Sequence, residues 1–362
     1  VLLIAAPILC TDLYSQREQK TTIWGRVTDG ESGEPLEYVN IFLSYTAIGT
    51  STDTNGKFML TNVPAGIFDL VVSRMGYERQ VISLRLLQPE SLYYDIKLKS
   101  QLLREHEVEV IAESPEDWKV NLEQFVKAFI GKTGNAKGCR ILNPEVLNFR
   151  VSEKADTLVA SSDSIIRIEN PSLGYRLSLV LASFVWNVER DVGRYLIYPR
   201  FGEMQPTSRD DLNEWHEKRK QCYTGSLKHF LRSLYHGITA EEMFRIYTGS
   251  LKKLAGGSGH RVNPEELGLA KQEGTPFKML RFPGYLRVDY GSRGPDVVRE
   301  EIGIDKQMRN IGSKDSPGPM SIITLNEAYA LVDSSGNLLN PLSIEVAGEW
   351  ARRRVAELVP LY

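Results

Sequence analysis

The chain has 362 residues, 42% hydrophobic and 25% charged, with 44 Lys+Arg against 46 Asp+Glu and a formal net charge of -2. This ordinary globular usage excludes a wholly disordered chain, a collagen-like chain and a polytopic helical membrane protein, and it offers no basic field for nucleic acid. Three cysteines exclude a disulfide-rich scaffold, and the length suggests two or three domains.

Residues 1–9 (VLLIAAPIL) are apolar and uncharged, and far short of the roughly 20 residues a membrane-spanning helix needs. They read as the surviving hydrophobic region of a secretory signal, a remnant of residues 1–15 cleaved between Ser15 and Gln16. The expected mature chain then has no integral transmembrane helix. Cys10 raises lipidation as an alternative, but Leu9 and Pro7 stand where lipoprotein signals place a small residue and Leu. In an oxidising compartment Cys139 and Cys222 could pair. Two distant cysteines read equally well as buried small hydrophobes.

From about residue 21 to 100 seven short runs alternate with period two: 23–27, 39–43, 50–52, 58–60, 67–72, 81–86 and 92–98. Val39, Ile41 and Leu43 share one face, as do Phe68, Leu70 and Val72. Turn chemistry separates the runs. Asp29-Gly30 and Ser32-Gly33 break the first pair, Asn55-Gly56 is a hairpin signal, and Pro64-Ala65-Gly66 and Gly76-Tyr77 follow. Short strands with no helix between them predict an antiparallel sandwich. Asp53, Asn55 and Gly56 do not continue into a calcium loop, because Pro64 stands where the twelfth-position Glu is required; they read as a hairpin staple.

Ile23, Gly25, Val27 and Asp29, then Gly33-Glu34-Pro35-Leu36, Val39-Asn40-Ile41, Gly49-Thr50, Thr52-Asp53, Asn55-Gly56, Phe58, Val63-Pro64, Gly66 and Gly76-Tyr77 form a connected pattern. Over about residues 22–98 it resembles the carboxypeptidase regulatory-like domain. The resemblance implies a transthyretin-like (prealbumin-like) sandwich without catalytic residues of its own. It also implies an exported protein of a Bacteroidetes-type bacterium, in the periplasm or associated with the outer membrane of a Gram-negative cell.

The stretch 101–113 reads as a linker strand. It holds His106 and Glu109 in the H-x-x-E spacing that metallocarboxypeptidases use for zinc. In an alternating strand, positions three apart face opposite ways, which disfavours chelation. In those enzymes the sandwich also follows the catalytic domain, whereas here it leads.

Residues 114–362 are expected to form a larger α+β domain with a mainly antiparallel sheet. Ser114-Pro115-Glu116-Asp117 opens a helix that Gly131 ends. Gly131-Lys132-Thr133 mimics the tail of a phosphate loop, but it closes a helix and Val126 occupies the required Gly position. Strands are predicted at 146–151, 157–160, 165–168, 175–186 and 194–201, with 177–182 central because it is apolar on both faces. Ser208 caps a second helix, and a third runs from Leu227 to about His236 with Leu227, Phe230, Leu231 and Leu234 as its buried stripe. After a loop at 249–273, strands are expected at 276–290 and 322–332. Residues 334–337 form a turn, 342–346 pair back, and 348–359 form a closing helix on which Arg352, Arg353 and Arg354 read as a solvated surface.

The candidate polar cluster is Tyr223, Ser226, His229, Arg232 and His236. The histidines and arginine fall at spacings of three and four, suited to anion binding or acid-base work, with a hydrogen-bonded polar surface as the plainer reading. No G-x-S-x-G, H-E-x-x-H or S-x-x-K motif accompanies them. No cofactor or metal is expected. The sequence reads as a non-enzymatic cell-envelope binding or docking protein whose partner is an envelope protein, a peptide or a glycan, and not a nucleic acid. The alternatives are an envelope hydrolase or an accessory part of outer-membrane transport machinery.

Overall fold

The computed structural model describes residues 20–101, 114–152, 156–256, 258–267, 269–272, 275–291 and 320–360. The signal remnant with Cys10, the linker residues His106 and Glu109, and residues 292–319 lie outside the described residues.

The N-terminal domain is all-β. Its strands are β1 (Thr21–Asp29), β2 (Asn40–Leu43), β3 (Gly49–Ser51), β4 (Lys57–Val63), β5 (Gly66–Ser73), β6 (Gln80–Leu86) and β7 (Ser91–Leu98). They form two sheets, ordered β4-β1-β7 and β3-β2-β5-β6. Alternation sends Ile23, Val27, Ile41, Leu43, Leu70 and Ile96 into the core between them. The sheets are not antiparallel throughout, because β1 and β7 run parallel. The chain crosses from β6 in the second sheet to β7 in the first, and period-two patterning carries no information about strand direction. β7 passes so close that a Cβ on Gly25 would lie 1.9 Å from the Tyr94 carbonyl oxygen, which accounts for the glycine in I-x-G-x-V.

Two aspartates staple turns. Asp53 Oδ1 accepts the N–H groups of Asn55 and Lys57. Asp29 Oδ1 accepts those of Glu31 and Ser32, and Tyr77 donates its hydroxyl hydrogen to Asp29 Oδ2 at 2.9 Å. The backbone bonds from Ser32 and Glu31, then the Tyr77 hydroxyl, hold the Asp29 carboxyl below the usual range.

The α+β part that follows begins with α1 (Pro115–Phe129), capped by Ser114, whose Oγ accepts the Asp117 N–H. Its apolar face, with Phe125 and Phe129, packs on a sheet of β8 (Arg140–Ile141), β9 (Leu147–Val151), β10 (Thr157–Ser162), β11 (Ile166–Asn170), β12 (Tyr175–Asn187) and β13 (Val192–Glu203). β12 is the spine: β11 and β10 pair with its two halves, and β13 pairs along nearly its whole length. Next come α2 (Arg209–Tyr223), closed at its start by a Ser208–Asp211 capping box, and α3 (Leu227–His236).

A further core then forms around Phe230, Leu234, Leu286 and Trp350. Its strands are β14 (Phe244–Gly249), β15 (His260–Val262), β16 (Ala270–Lys271), β17 (Lys278–Leu280), β18 (Tyr285–Tyr290), β19 (Met320–Leu325), β20 (Ala330–Val332) and β21 (Ile344–Gly348). They make one sheet ordered β15-β14-β18-β19-β21 and another ordered β16-β17-β20, both antiparallel. A short helix, α4 (Leu251–Ala255), occupies part of the expected loop. Of the residues expected to pair back, 344–346 do so against β19 and the strand runs on to Gly348, whereas Leu342 and Ser343 lie in a single 3-10 turn. No helix among the described residues is long and apolar enough to cross a membrane.

The sandwich is joined to the second part by main-chain bonds. Tyr45 donates its N–H to the Pro199 carbonyl at 2.7 Å, Phe201 donates to the Thr46 carbonyl at 2.8 Å, and Thr46 bridges Arg200 in parallel fashion. The Tyr45 ring packs into the α1–β12 core. Phe42 and Val71 meet Val180 in a small shared cluster.

The expected closing helix is short. α5 (Glu349–Arg352) stops because Arg353 and Arg354 adopt extended backbone. Arg354, 9% exposed, donates to the carbonyls of Lys127 and Ala128 at the end of α1, and stacks over Trp186 at 4.5 Å. Arg353 donates to the carbonyls of Cys222 and Thr224 at the end of α2. Two of the three arginines therefore cap helix C-termini instead of forming a solvated surface. Arg354→Ala is expected to lower stability by about 2–4 kcal/mol, since it removes charged hydrogen bonds and exposes two buried carbonyls. Exposed Arg352→Ala should stay within about 0.5 kcal/mol; urea midpoints of the two variants check this.

Candidate functional site

The polar cluster predicted on α3 is divided by the fold. Ser226 caps the helix, its Oγ accepting the His229 N–H at 3.1 Å. His229 is buried. Gly225 donates its N–H to Nδ1 at 3.0 Å, and Nε2 lies 3.0 Å from Glu242 Oε2. A backbone donor on Nδ1 fixes the tautomer with hydrogen on Nε2, so both ring nitrogens are engaged within the fold. Tyr223 lies against the His229 ring, centroids 5.0 Å apart, and its hydroxyl accepts from Arg232 at 3.3 Å. His236 stands apart, its Nε2 2.8 Å from the Ser334 carbonyl. Tyr223, His229, Arg232 and Glu242 are thus brought together, while Ser226 is spent on the cap and His236 faces a different turn.

Beside this cluster lies a half-open cavity of about 390 Å³, at the meeting of the sandwich, α3 and the C-terminal segment. Ser44, Tyr45, Phe68 and Asp69 come from the sandwich; Tyr223, Ser226, Lys228 and Leu231 from the helices; Leu338, Trp350, Arg353 and Glu357 from the C-terminal segment. The turn at 333–337, held by Asp333 Oδ1 accepting from Ser335 and Asn337, presses onto α3. A Cβ on Gly336 would lie 2.4 Å from the Lys228 carbonyl oxygen, so the approach requires glycine. Burial lowers the Lys228 ammonium from 10.5 to about 8, against a partial upward pull from Asp333. Burial raises the Asp69 carboxyl, offset in part by the Ser83 hydroxyl, which donates to it at 2.9 Å.

Of these residues, the sequence reading singled out only Tyr223 and Ser226 as candidates. The sequence signal for Lys228 is its place on α3 one turn before Leu231, a lysine within the apolar stripe. Ser44 and Asp69 carry no local signal, because a contact between separate units brings them to the cavity. A buried ion pair was also missed: Arg287 donates to both carboxylate oxygens of Asp289 on β18, at 3.1 and 2.9 Å, and its guanidinium lies over Tyr247. Alternation on a strand puts positions two apart on one face, so that pair was legible in principle.

Cys139 and Cys222 are both free thiols. Cys222 Sγ donates to Glu357 Oε2 at 2.9 Å, and Cys139 Sγ to the Asn135 carbonyl at 3.4 Å. Burial first and Glu357 second push both thiols up, Cys139 to about 12. Among the described residues no group of three or more His, Cys, Asp or Glu side chains is placed to hold a metal ion.

The seven-stranded sandwich defines the class of the N-terminal domain, and residues 23–110 match the family model of the CarboxypepD_reg-like domain. A segment of 111 residues is 33% identical to a TonB-dependent receptor of Formosa agariphila, taking in 31% of this chain and 10% of the receptor. The chain therefore spans only about a tenth of that relative's length. Among solved structures, a type II cohesin–X-dockerin complex from Acetivibrio cellulolyticus is similar at 18% identity and TM-score 0.19, covering 22% of this chain and 56% of that one. A Bacteroides fragilis protein described as membrane-associated and of unknown function is similar at 12% identity and TM-score 0.19, covering 91% of this chain and 93% of that one.

Two outcomes follow from the buried titratable groups. The folded-state value of Lys228 lies below its unfolded value, so between pH 8 and about 10.4 the unfolded chain binds more protons and this side chain's contribution to stability rises with pH. Below pH 8 its penalty is present in full. Lys228→Met should therefore be more stable than wild type at pH 7, with the difference closing as pH rises through that window; urea midpoints against pH measure it. The raised thiols should leave Cys139 and Cys222 almost unreactive toward iodoacetamide at pH 8 in the folded protein and fully alkylated in denaturant, as read by peptide mass spectrometry.

Proposed function

We propose that this chain is a non-enzymatic protein of the cell envelope, exported to the periplasm or the outer-membrane surface, whose sandwich is a docking module for another envelope protein. The observation that carries this reading is a row of large side chains on the outer face of the β4-β1-β7 sheet. Trp24 pairs in register with Met59 on one side and Tyr93 on the other, and the three are 42%, 58% and 54% exposed. The Trp24 and Tyr93 rings meet edge to face at 4.7 Å, and the indole N–H donates to Ser91 Oγ. Packed rings with a polar handle lose little freedom when a partner covers them, and such residues dominate interface energetics. The CarboxypepD_reg-like match and the similarity to a TonB-dependent receptor support an envelope or transport-associated setting. The accessory-transport form of the reading agrees with that receptor better than the hydrolase form does. The hydrolase form is further weakened because the buried His229 has no ring nitrogen left for a substrate.

A photocrosslinking residue placed at Tyr93 of the full chain, in the envelope of a Bacteroidetes-type cell, should give a discrete protease-sensitive adduct. Trp24→Ala should abolish it while moving the melting temperature little, since the indole is already half in water. An adduct resistant to protease but cut by glycosidases would replace the protein partner with a glycan. Retention of the chain in the cytoplasm, or an adduct indifferent to Trp24, would overturn the proposal.

A further inference from the structure

The cavity beside α3 has the size of a small-molecule site, about 390 Å³. Most of its wall is apolar, with Tyr45, Phe68, Leu231, Leu338 and Trp350 contributing. The charged side chains of the wall are matched within the fold. Lys228 is acted on by the Asp333 carboxylate. Arg353 donates to the carbonyls of Cys222 and Thr224 and lies 3.8 Å from Glu349. Arg354 donates to those of Lys127 and Ala128 and lies 3.6 Å from Asp191. Glu357 accepts from Thr133, Asn135 and Cys222, and Asp69 accepts from Ser83. An ion entering the cavity would therefore give up its water without gaining an open counter-charge. One polar group of the wall is not matched. Ser44 is 3% exposed, and its Oγ has no hydrogen-bond partner among the described residues. The turn after β2 does not use it. Thr46 takes that part, donating its hydroxyl hydrogen to the Leu43 carbonyl and accepting the Ile48 N–H. The Ser44 N–H donates to the Asp69 carbonyl, which ties its backbone to β5. A buried hydroxyl in that state is costly and awaits an oxygen or nitrogen from elsewhere.

We propose that this cavity binds an uncharged amphipathic molecule, with its apolar body against Phe68, Leu231, Leu338 and Trp350 and one polar oxygen at the Ser44 hydroxyl. A wholly apolar ligand would fill the space but leave Ser44 as it is. A water at Ser44 would need about two to four polar partners of its own, in a wall that is mostly apolar. One oxygen on an apolar body matches both the wall and the hydroxyl. The serine hydroxyl can donate or accept, so an aliphatic alcohol and a primary amide present this chemistry equally. Binding here does not rest on the envelope reading, since the cavity draws on β5 and not on the exposed row of Trp24, Met59 and Tyr93.

The test is calorimetric titration of the purified full chain at pH 7 with four probes of one chain length: 1-octanol, octanamide, octanoate and octyltrimethylammonium. Saturable one-to-one binding of the alcohol or the amide is expected, and whichever binds more tightly names the source. Octanoate and octyltrimethylammonium should bind about tenfold more weakly or not at all. Ser44→Ala should weaken the uncharged probe about five- to tenfold, the worth of one neutral hydrogen bond. The same variant should not lower the melting temperature of the free chain, because no internal bond is lost. Leu231→Trp should remove binding by filling the space. Where Leu231→Trp does not fold, Val346→Phe on the half-buried part of the same wall replaces it. The proposal is overturned if neither uncharged probe binds saturably, if either ion binds as tightly, or if Ser44→Ala binds as tightly as wild type. A melting temperature that falls in Ser44→Ala would also overturn it, since the hydroxyl would then have a partner inside the fold.

Discussion

The C-terminal pair Arg353-Arg354 is the constraint on which the architecture beyond the sandwich turns. α1 and α2 belong to different parts of the chain, and each ends with unsatisfied carbonyls. Arg354 takes those of Lys127 and Ala128, and Arg353 takes those of Cys222 and Thr224. Adjacent residues in extended backbone project to opposite sides, which lets one dipeptide reach two helices at once. The cationic heads also sit at the negative ends of both helix dipoles. Asp191 adds a carboxylate 3.6 Å from Arg354, and Trp186 supplies a ring face. A few residues earlier, Trp350 donates its indole N–H to the Gly225 carbonyl, so the same segment also fixes the turn that holds His229.

This clamp determines what the cavity can be. Its floor is the segment that carries the arginines and Glu357, and its other walls belong to α3 and the sandwich. Stability and ligand access are therefore linked in one place. The arginines cannot be given up to a ligand without releasing helix ends. Burial beside that segment lowers the affinity of Lys228 for a proton, against the pull of Asp333.

Much of the sandwich was legible because its information is local. Alternation, the Asn55-Gly56 turn and the Asp53 staple are encoded within a few residues, and each strand falls where the pattern puts it. Strand direction was not legible, since β7 joins β1 through a crossing between sheets. In the second part, α1 and α2 announce themselves through Ser114 and Ser208, and α3 through its apolar stripe, while the capping role of Ser226 was not read. The failure at 348–359 is instructive: helical spacing and basic residues were present, but a tertiary demand for capping broke the helix. The candidate site was legible only on α3. Tyr223, His229 and Arg232 do meet, but the cavity beside them draws on Ser44 and Asp69, more than 150 residues earlier in the chain.

Tyr45 is the peg in the contact between the sandwich and the second part. It adopts φ 60, a conformation that costs a non-glycine residue about 1–3 kcal/mol. It holds that shape because its N–H bonds the Pro199 carbonyl while its ring enters the α1–β12 core. The position of the sandwich is thus written into a peg and socket, Tyr45 against Pro199 and the α1–β12 core. Selection on the arrangement of the two parts therefore falls on the peg and its socket, and a change at Tyr45 is felt by both parts at once.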